Sequence, residues 1–319
     1  MMLSFLSLAE NITEELGTSD VPPIEVVKII NGTFSKIEKD FTLLAECGYR
    51  DNKPSMSIVS SGCLVSLIWG QKVFTANVGD SRAVICYDRP DGPGWCGKEM
   101  ARDNSCCEQS YIRQPSHPKT RCIGNAHLKM AHFTTEESFE APEEDRVENN
   151  FTESVLSAIP KVSVRDIKET DRFIIFGSGG LWKLLTNEQA AKFVNSRPRG
   201  GIARKLATYA VKLAAEKSGL TYSKMMLVPE GTDMSGRSCV SSEPVRPIYH
   251  DDITVAVVYL DINKNIDSKT FYSYHSHSYN VLPSGFKDDL DIVKKKKDDP
   301  DNQPKNRKKV SKVYSIWDD

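Results

Sequence analysis

No run of apolar residues in this chain reaches the length that a membrane-spanning helix requires. The opening MMLSFLSLAE is briefly apolar, but it has no basic lead-in and meets Glu10 and Glu14 at once, so it does not read as a secretory signal. None of the eight cysteines is spaced CxxC, which argues against a structural zinc site, and their scatter is no disulfide framework. They read as buried or surface thiols of a reducing compartment. Neither sign of charge is in excess: 42 basic residues against 43 acidic ones give no global field for nucleic acid or an acidic membrane. His117, His127 and His132 lack ligand-like spacing and read as separate core or surface residues. No internal repeat is present.

What is there suits one large folded unit, since 319 residues can bury a sizeable core. The most legible stretch is 171–194, DRFIIFGSGGLWKLLTNEQAAKFV. Phe173, Ile174, Ile175 and Phe176 form the continuous apolar run of a strand covered on both faces. Ser178, Gly179 and Gly180 break it, and Leu181, Trp182, Leu184 and Leu185 then recur at helical spacing. Thr186 followed by Gln189 predicts a capping box that restarts the helix. A polar loop at the end of a buried strand is a usual place for a ligand or metal.

Upstream, Val26, Val27, Ile30, Phe34, Ile37, Phe41 and Leu44 recur at three and four, which predicts a helix over 24–45 with one apolar face. Residues 57–88 read as paired strands, with Gly70-Gln71 as a two-residue turn and Gly79-Asp80 as a second turn. By itself Asp80 reads as a turn residue capping its own backbone. Downstream, 202–217 is an amphipathic helix stopped by Gly219, and 253–260 is another buried strand. Residues 89–150 and 225–246 read as loop insertions. The expected division is a folded domain over 1–261 and a basic, disordered tail over 262–319. Lys294, Lys295, Lys296 and Lys297, then Arg307, Lys308 and Lys309, make that tail either a solvated charge run or a nuclear-import signal. The expected location is cytoplasmic, nuclear or both.

Four motifs occur in a telling order: Asn77-Val78-Gly79-Asp80-Ser81-Arg82, Leu156-Ser157-Ala158 with Pro160, Ser178-Gly179-Gly180-Leu181-Trp182, and His250-Asp251-Asp252-Ile253-Thr254-Val255. Together they resemble the metal-dependent type 2C serine/threonine protein phosphatases. The phrases GIARKLATYAVKLAAEK and HDDITVAVVYLD are most similar to plant members. The resemblance implies an α+β fold, a four-layer α-β-β-α sandwich, here shortened at its N-terminus with strand edges left bare. It implies magnesium or manganese held by aspartates between the two sheets, because such hard ions want oxygen ligands. By the same resemblance Asp251 is a retained ligand position and Asp80 faces a peripheral metal position. Gly179 stands where the family has an aspartate, and Lys183 where it has an acidic residue. The family's D-G-H-G-G motif and its phosphate-binding arginine have no counterpart in these residues.

Hydrolysis of a phosphate monoester needs acceleration of up to about 10²¹-fold, on the order of 25–29 kcal/mol, supplied in this family by two metal ions and their shared water. With the bridging aspartate, a second ligand and the phosphate clamp all missing, the expectation is a catalytically inactive pseudophosphatase that acts by protein binding, its metal binding weak or lost. The expected partners are phosphoproteins or proteins of a phosphatase pathway, not nucleic acid or a membrane. The alternative is an active magnesium- or manganese-dependent serine/threonine phosphatase whose site is rebuilt from Asp80, Asp251, Asp252 and the acidic middle segment.

Overall fold

The computed structural model describes residues 11–12, 14–17, 21–50, 54–89, 95–100, 121–130, 133, 156–229 and 245–260. Helix α1 (Pro23–Arg50) comes first, and the apolar stripe of the sequence is the face it buries, with Val26, Ile30, Phe34, Ile37, Phe41 and Ala45 turned inward. Leu44 departs from expectation. It is 50% exposed, because the stripe drifts around the helix and Ala45 takes the inward position.

Strands β2 (Cys63–Trp69) and β3 (Lys72–Val78) form the predicted hairpin, with Trp69 opposite Lys72. Its two turn residues, Gly70 and Gln71, sit at φ 52° and 62°, the left-handed pair that suits the twist of the flanking strands. Strand β7 (Lys161–Asp166) pairs with the far side of β3, giving a three-stranded antiparallel sheet in the order β2-β3-β7. The second sheet has the order β5-β4-β8-β9, built from β4 (Arg82–Asp88), β5 (Trp95–Met100), β8 (Asp171–Gly177) and β9 (Val255–Tyr259). A small ladder joins β1 (Ser60–Ser61) to β6 (Ile123–Gly124).

Period-two alternation assigns the layers. Phe74, Ala76 and Val78 of β3 face α1, whereas Val73 faces the other sheet beside Ala83, Ile85 and Ile174. On the outer side of the second sheet, Val84, Cys86, Phe173 and Ile175 meet the helices α2 (Gly179–Leu184), α3 (Asn187–Asn195) and α4 (Ile202–Lys217). The result is α-β-β-α, as expected. Burial pushes the thiols of Cys63 and Cys86 up to about 12, with Cys96 adding to the shift at Cys86, so both stay neutral fillers of the core.

Two expectations are corrected. Part of the stretch read as the first insertion is strand β5, an edge strand that carries no alternating pattern of its own. Its Gly97 lies under Val84 and Ala191, where a side chain would hold α3 off the sheet. Part of the second is helix α5 (Tyr222–Leu227), started by Thr221, whose hydroxyl accepts from the amide of Lys224, and seated by buried Met225. His127 is a core residue, its Nδ1 3.2 Å from the carbonyl of Ser57. His117, His132 and the basic clusters beyond 260 lie outside the described residues.

Candidate functional site

Three chain segments meet at one end of the second sheet. The first is the Gly79-Asp80 turn, which carries the chain from β3 in one sheet to β4 in the other. Asn77 holds this turn, its amide donating to the carbonyls of Ser81 at 2.8 Å and Gly79 at 3.4 Å. The backbone-capping role read for Asp80 therefore falls to Asn77. The carboxylate of Asp80 is free to lean outward, and it lies against Gly179: a Cβ built there would stand 1.8 Å from Asp80 Oδ2. Asp80 thus fills the volume that a side chain at 179 would occupy.

The second segment is the end of β8 and the start of α2. Ser178 is the N-cap residue, but no side-chain cap bond forms. Its hydroxyl instead donates to the carbonyl of Asp252 at 2.9 Å and accepts from the amide of Thr254 at 3.0 Å. That clip fastens the third segment, the loop that leads into β9. Gly180 makes the approach feasible, since a Cβ there would be 2.4 Å from the Asp252 carbonyl oxygen. Trp182 closes the underside, its indole N–H donating to the carbonyl of Gly177 at 2.8 Å. Leu185 ends α2, and Thr186 with Gln189 forms the predicted capping box before α3.

On this frame Lys183 reaches across from α2 and its ammonium pairs with Asp251. The hydrogen bond and charge of Asp251, with a further contribution from Asp80, hold the lysine above its usual range against the opposing effect of burial. Asp80, Asp251 and Lys183 therefore share one small field, two carboxylates around one cation. Asp252 is exposed beside them, with its backbone already engaged by Ser178.

Comparison with known proteins fits this geometry. The family model described as protein phosphatase 2C matches residues 12–104 and 118–219. The chain belongs to the protein phosphatase 2C family. A protein of rice (Oryza sativa subsp. japonica) described as probable protein phosphatase 2C 25 is 33% identical over an alignment of 258 positions that covers 73% of this chain and 62% of that protein. Probable protein phosphatase 2C 68 of Arabidopsis thaliana is 33% identical over an alignment of 295 positions that covers 81% of this chain and 68% of the relative. The chain thus spans about two thirds of the length of these curated relatives. Among solved structures, a serine-threonine phosphatase 2C from Toxoplasma gondii superposes with a TM-score of 0.46 at 16% identity, covering 80% of this chain and 75% of that one.

Protein phosphatases 2C work with magnesium or manganese, and the described residues gathered here do not form a site that fits such an ion. Among the described residues no three acidic, histidine or cysteine side chains converge as a metal site would require. Position 179, where the resemblance expects an aspartate, is a glycine, and Lys183 sets a positive charge on Asp251, the carboxylate that the resemblance marks as a ligand position. A divalent ion would have to displace that ammonium.

Sequence alone put Asp251, Lys183 and Gly179 in one reading through the family pattern, and the fold brings all of them together. It did not anticipate that Asp80 would lie against Gly179, nor that Ser178 would clip the Asp251 loop. A signal for the second was available: a serine immediately after a buried strand offers both a donor and an acceptor where a neighbouring loop must be held.

Proposed function

We propose that this chain is a catalytically inactive phosphatase 2C domain that acts by binding other proteins. The observation that carries the reading is the Lys183 ammonium on Asp251, with Asp80 packed into the space above Gly179. Two carboxylates and one neighbouring cation leave close to one net negative charge, a weak attraction for a hydrated divalent ion. Phosphoproteins or proteins of a phosphatase pathway are the proposed partners, in the cytoplasm, the nucleus or both, the basic clusters of residues 294–297 and 307–309 serving nuclear import.

One observation favours the other reading, an active magnesium- or manganese-dependent serine/threonine phosphatase. Asp80 stands where a carboxylate at 179 would have stood, which is what a rebuilt ligand set would look like. Calorimetric titration with manganese, paired with hydrolysis of p-nitrophenyl phosphate by the full chain and by Asp251→Ala, separates the two. The inactive reading expects no saturable manganese binding below millimolar concentration and no hydrolysis. Turnover that vanishes in Asp251→Ala would overturn it.

A further inference from the structure

A second feature lies away from the carboxylates, on the outer helix layer. Between Glu188 and Glu216 the chain carries six cations, Lys192, Arg197, Arg199, Arg204, Lys205 and Lys212, and no carboxylate, in a protein whose charges otherwise balance. The fold gathers four of them, Arg197, Arg204, Lys205 and Lys212, around a groove of about 540 Å³ between α3 and α4. Two brace the wall. Arg197 donates to the carbonyl of Phe193 at 3.1 Å and to the hydroxyl of Ser196, and the ammonium of Lys205 donates to the carbonyl of Gly200 at 2.9 Å. Two are left for a ligand. Among the described residues Arg204, which is exposed, is taken up by no ion pair, and Lys212, also exposed, has the ring of Tyr222 beside it, 5.5 Å away, and no ion pair. The start of α4 contributes as well: Gly201 offers no side-chain cap, so the positive end of that helix faces the same opening.

We infer that this groove binds a phosphorylated, acidic peptide segment. Arg204, with its planar fork unoccupied, suits a phosphate dianion, and Lys212 suits a carboxylate further along the same segment. Arg204, Thr208 and Lys212 lie at i, i+4 and i+8 on one stripe, so the two cations are about 12 Å apart along the helix, which an extended peptide covers in roughly three to four residues. The fitting segment is therefore a phosphoserine or phosphothreonine with an acidic residue three or four positions away. A nucleic-acid strand suits the groove less well. The ring of Phe193 is buried, with the guanidinium of Arg197 3.6 Å from its centre and the ring of Tyr209 stacked at 4.7 Å, so it offers no open face for a base to stack on. The end of the groove at Arg197 borders a second cavity with Asp88, Asp171 and Tyr259, which lie at the opposite end of the sheet from Gly177 and the Asp251 loop. The inference goes beyond the reading of the carboxylate site and stands whether or not that site is active.

The test uses the full chain in EDTA, so that divalent metal plays no part, and follows fluorescence anisotropy of a labelled peptide bearing phosphothreonine with glutamates at the third and fourth following positions. Saturable binding is expected, weakened about tenfold or more in the Arg204→Ala/Lys212→Ala double variant and several-fold in the unphosphorylated peptide. Both residues are exposed, so the double variant is expected to melt as the parent does. Arg204→Lys, which keeps the charge and loses the fork, provides a second reading of the same curve, with a loss of about threefold or more. Absence of saturable binding, or binding that neither variant weakens, would overturn the inference. So would equal affinity for single-stranded DNA of the same charge.

Discussion

The two ends of β8 carry ion pairs of opposite character. At the start of the strand, Asp171 is fully buried and accepts from both terminal nitrogens of Arg165, at 2.6 and 2.7 Å, and from the amide of Lys168 at 2.8 Å. Arg165 belongs to β7, so this bidentate pair ties one sheet to the other. Past the end of the strand, Lys183 and Asp251 are 65% and 50% exposed and share a single contact. One end is fixed by geometry and satisfied polar groups. The other is held by a pair that water can compete for. The looser end is the one proposed above as the site of an inactive phosphatase 2C domain, and its exposed single pair is consistent with that proposal.

The largest effect should come from breaking the tight end. Asp171→Ala leaves the Arg165 guanidinium and the Lys168 amide without their acceptor beside a buried strand, and a loss of about 3–5 kcal/mol is expected in urea unfolding. A loss below about 1 kcal/mol would mean that the two ends are alike after all. At the loose end the sensitive residue is a glycine. Gly180→Ala drives a Cβ into the Asp252 carbonyl, and that atom is backbone, so the loop must move. About 1–3 kcal/mol is the expected cost, with the Lys183–Asp251 pair opened in the same step. Gly179→Asp differs although it is next door, because the atoms in its way are the tip of the exposed Asp80 side chain, which can swing out. Because position 179 is buried and the new carboxylate meets that of Asp80, a loss of about 1 kcal/mol is expected, and no phosphatase activity should appear, since Lys183 still sits on Asp251. Activity in that single variant would show that the looser end is still a working site.

This contrast also marks what could be read from the sequence. The Gly70-Gln71 turn, the Thr186–Gln189 capping box and the buried run from Phe173 were legible because each is decided by residues within a few positions of one another. Strand β5 was not: WCGKEM has no period, and it is a strand only because β4 offers an edge and α3 a cover. Helix α5 is short and depends on one buried side chain, Met225. At the site, the resemblance marks Gly179 and Lys183 as positions where the family carries acidic residues. That Asp80 would fill the vacated space is a meeting of the β3–β4 turn with α2, about a hundred residues later, and no local pattern encodes it.

The finest comparison is made with pH. At the loose end the group whose proton matters is Lys183. Its neighbour Asp251 raises the lysine above the usual 10.5. A raised folded-state value means that the folded chain holds this proton more firmly than the unfolded chain, so the contribution is complete below about pH 10 and fades as pH climbs through the raised value. With both partners exposed, that contribution is at most about 1 kcal/mol. Lys183→Met should therefore melt slightly below the parent at pH 8, and the two should converge as pH climbs through the raised value. High salt at pH 8 should produce the same convergence, because it screens an exposed pair. If the difference between parent and variant neither shrinks with pH nor with salt, Lys183 acts through its packed alkyl stem instead, and the loose end is held by apolar contact rather than by charge.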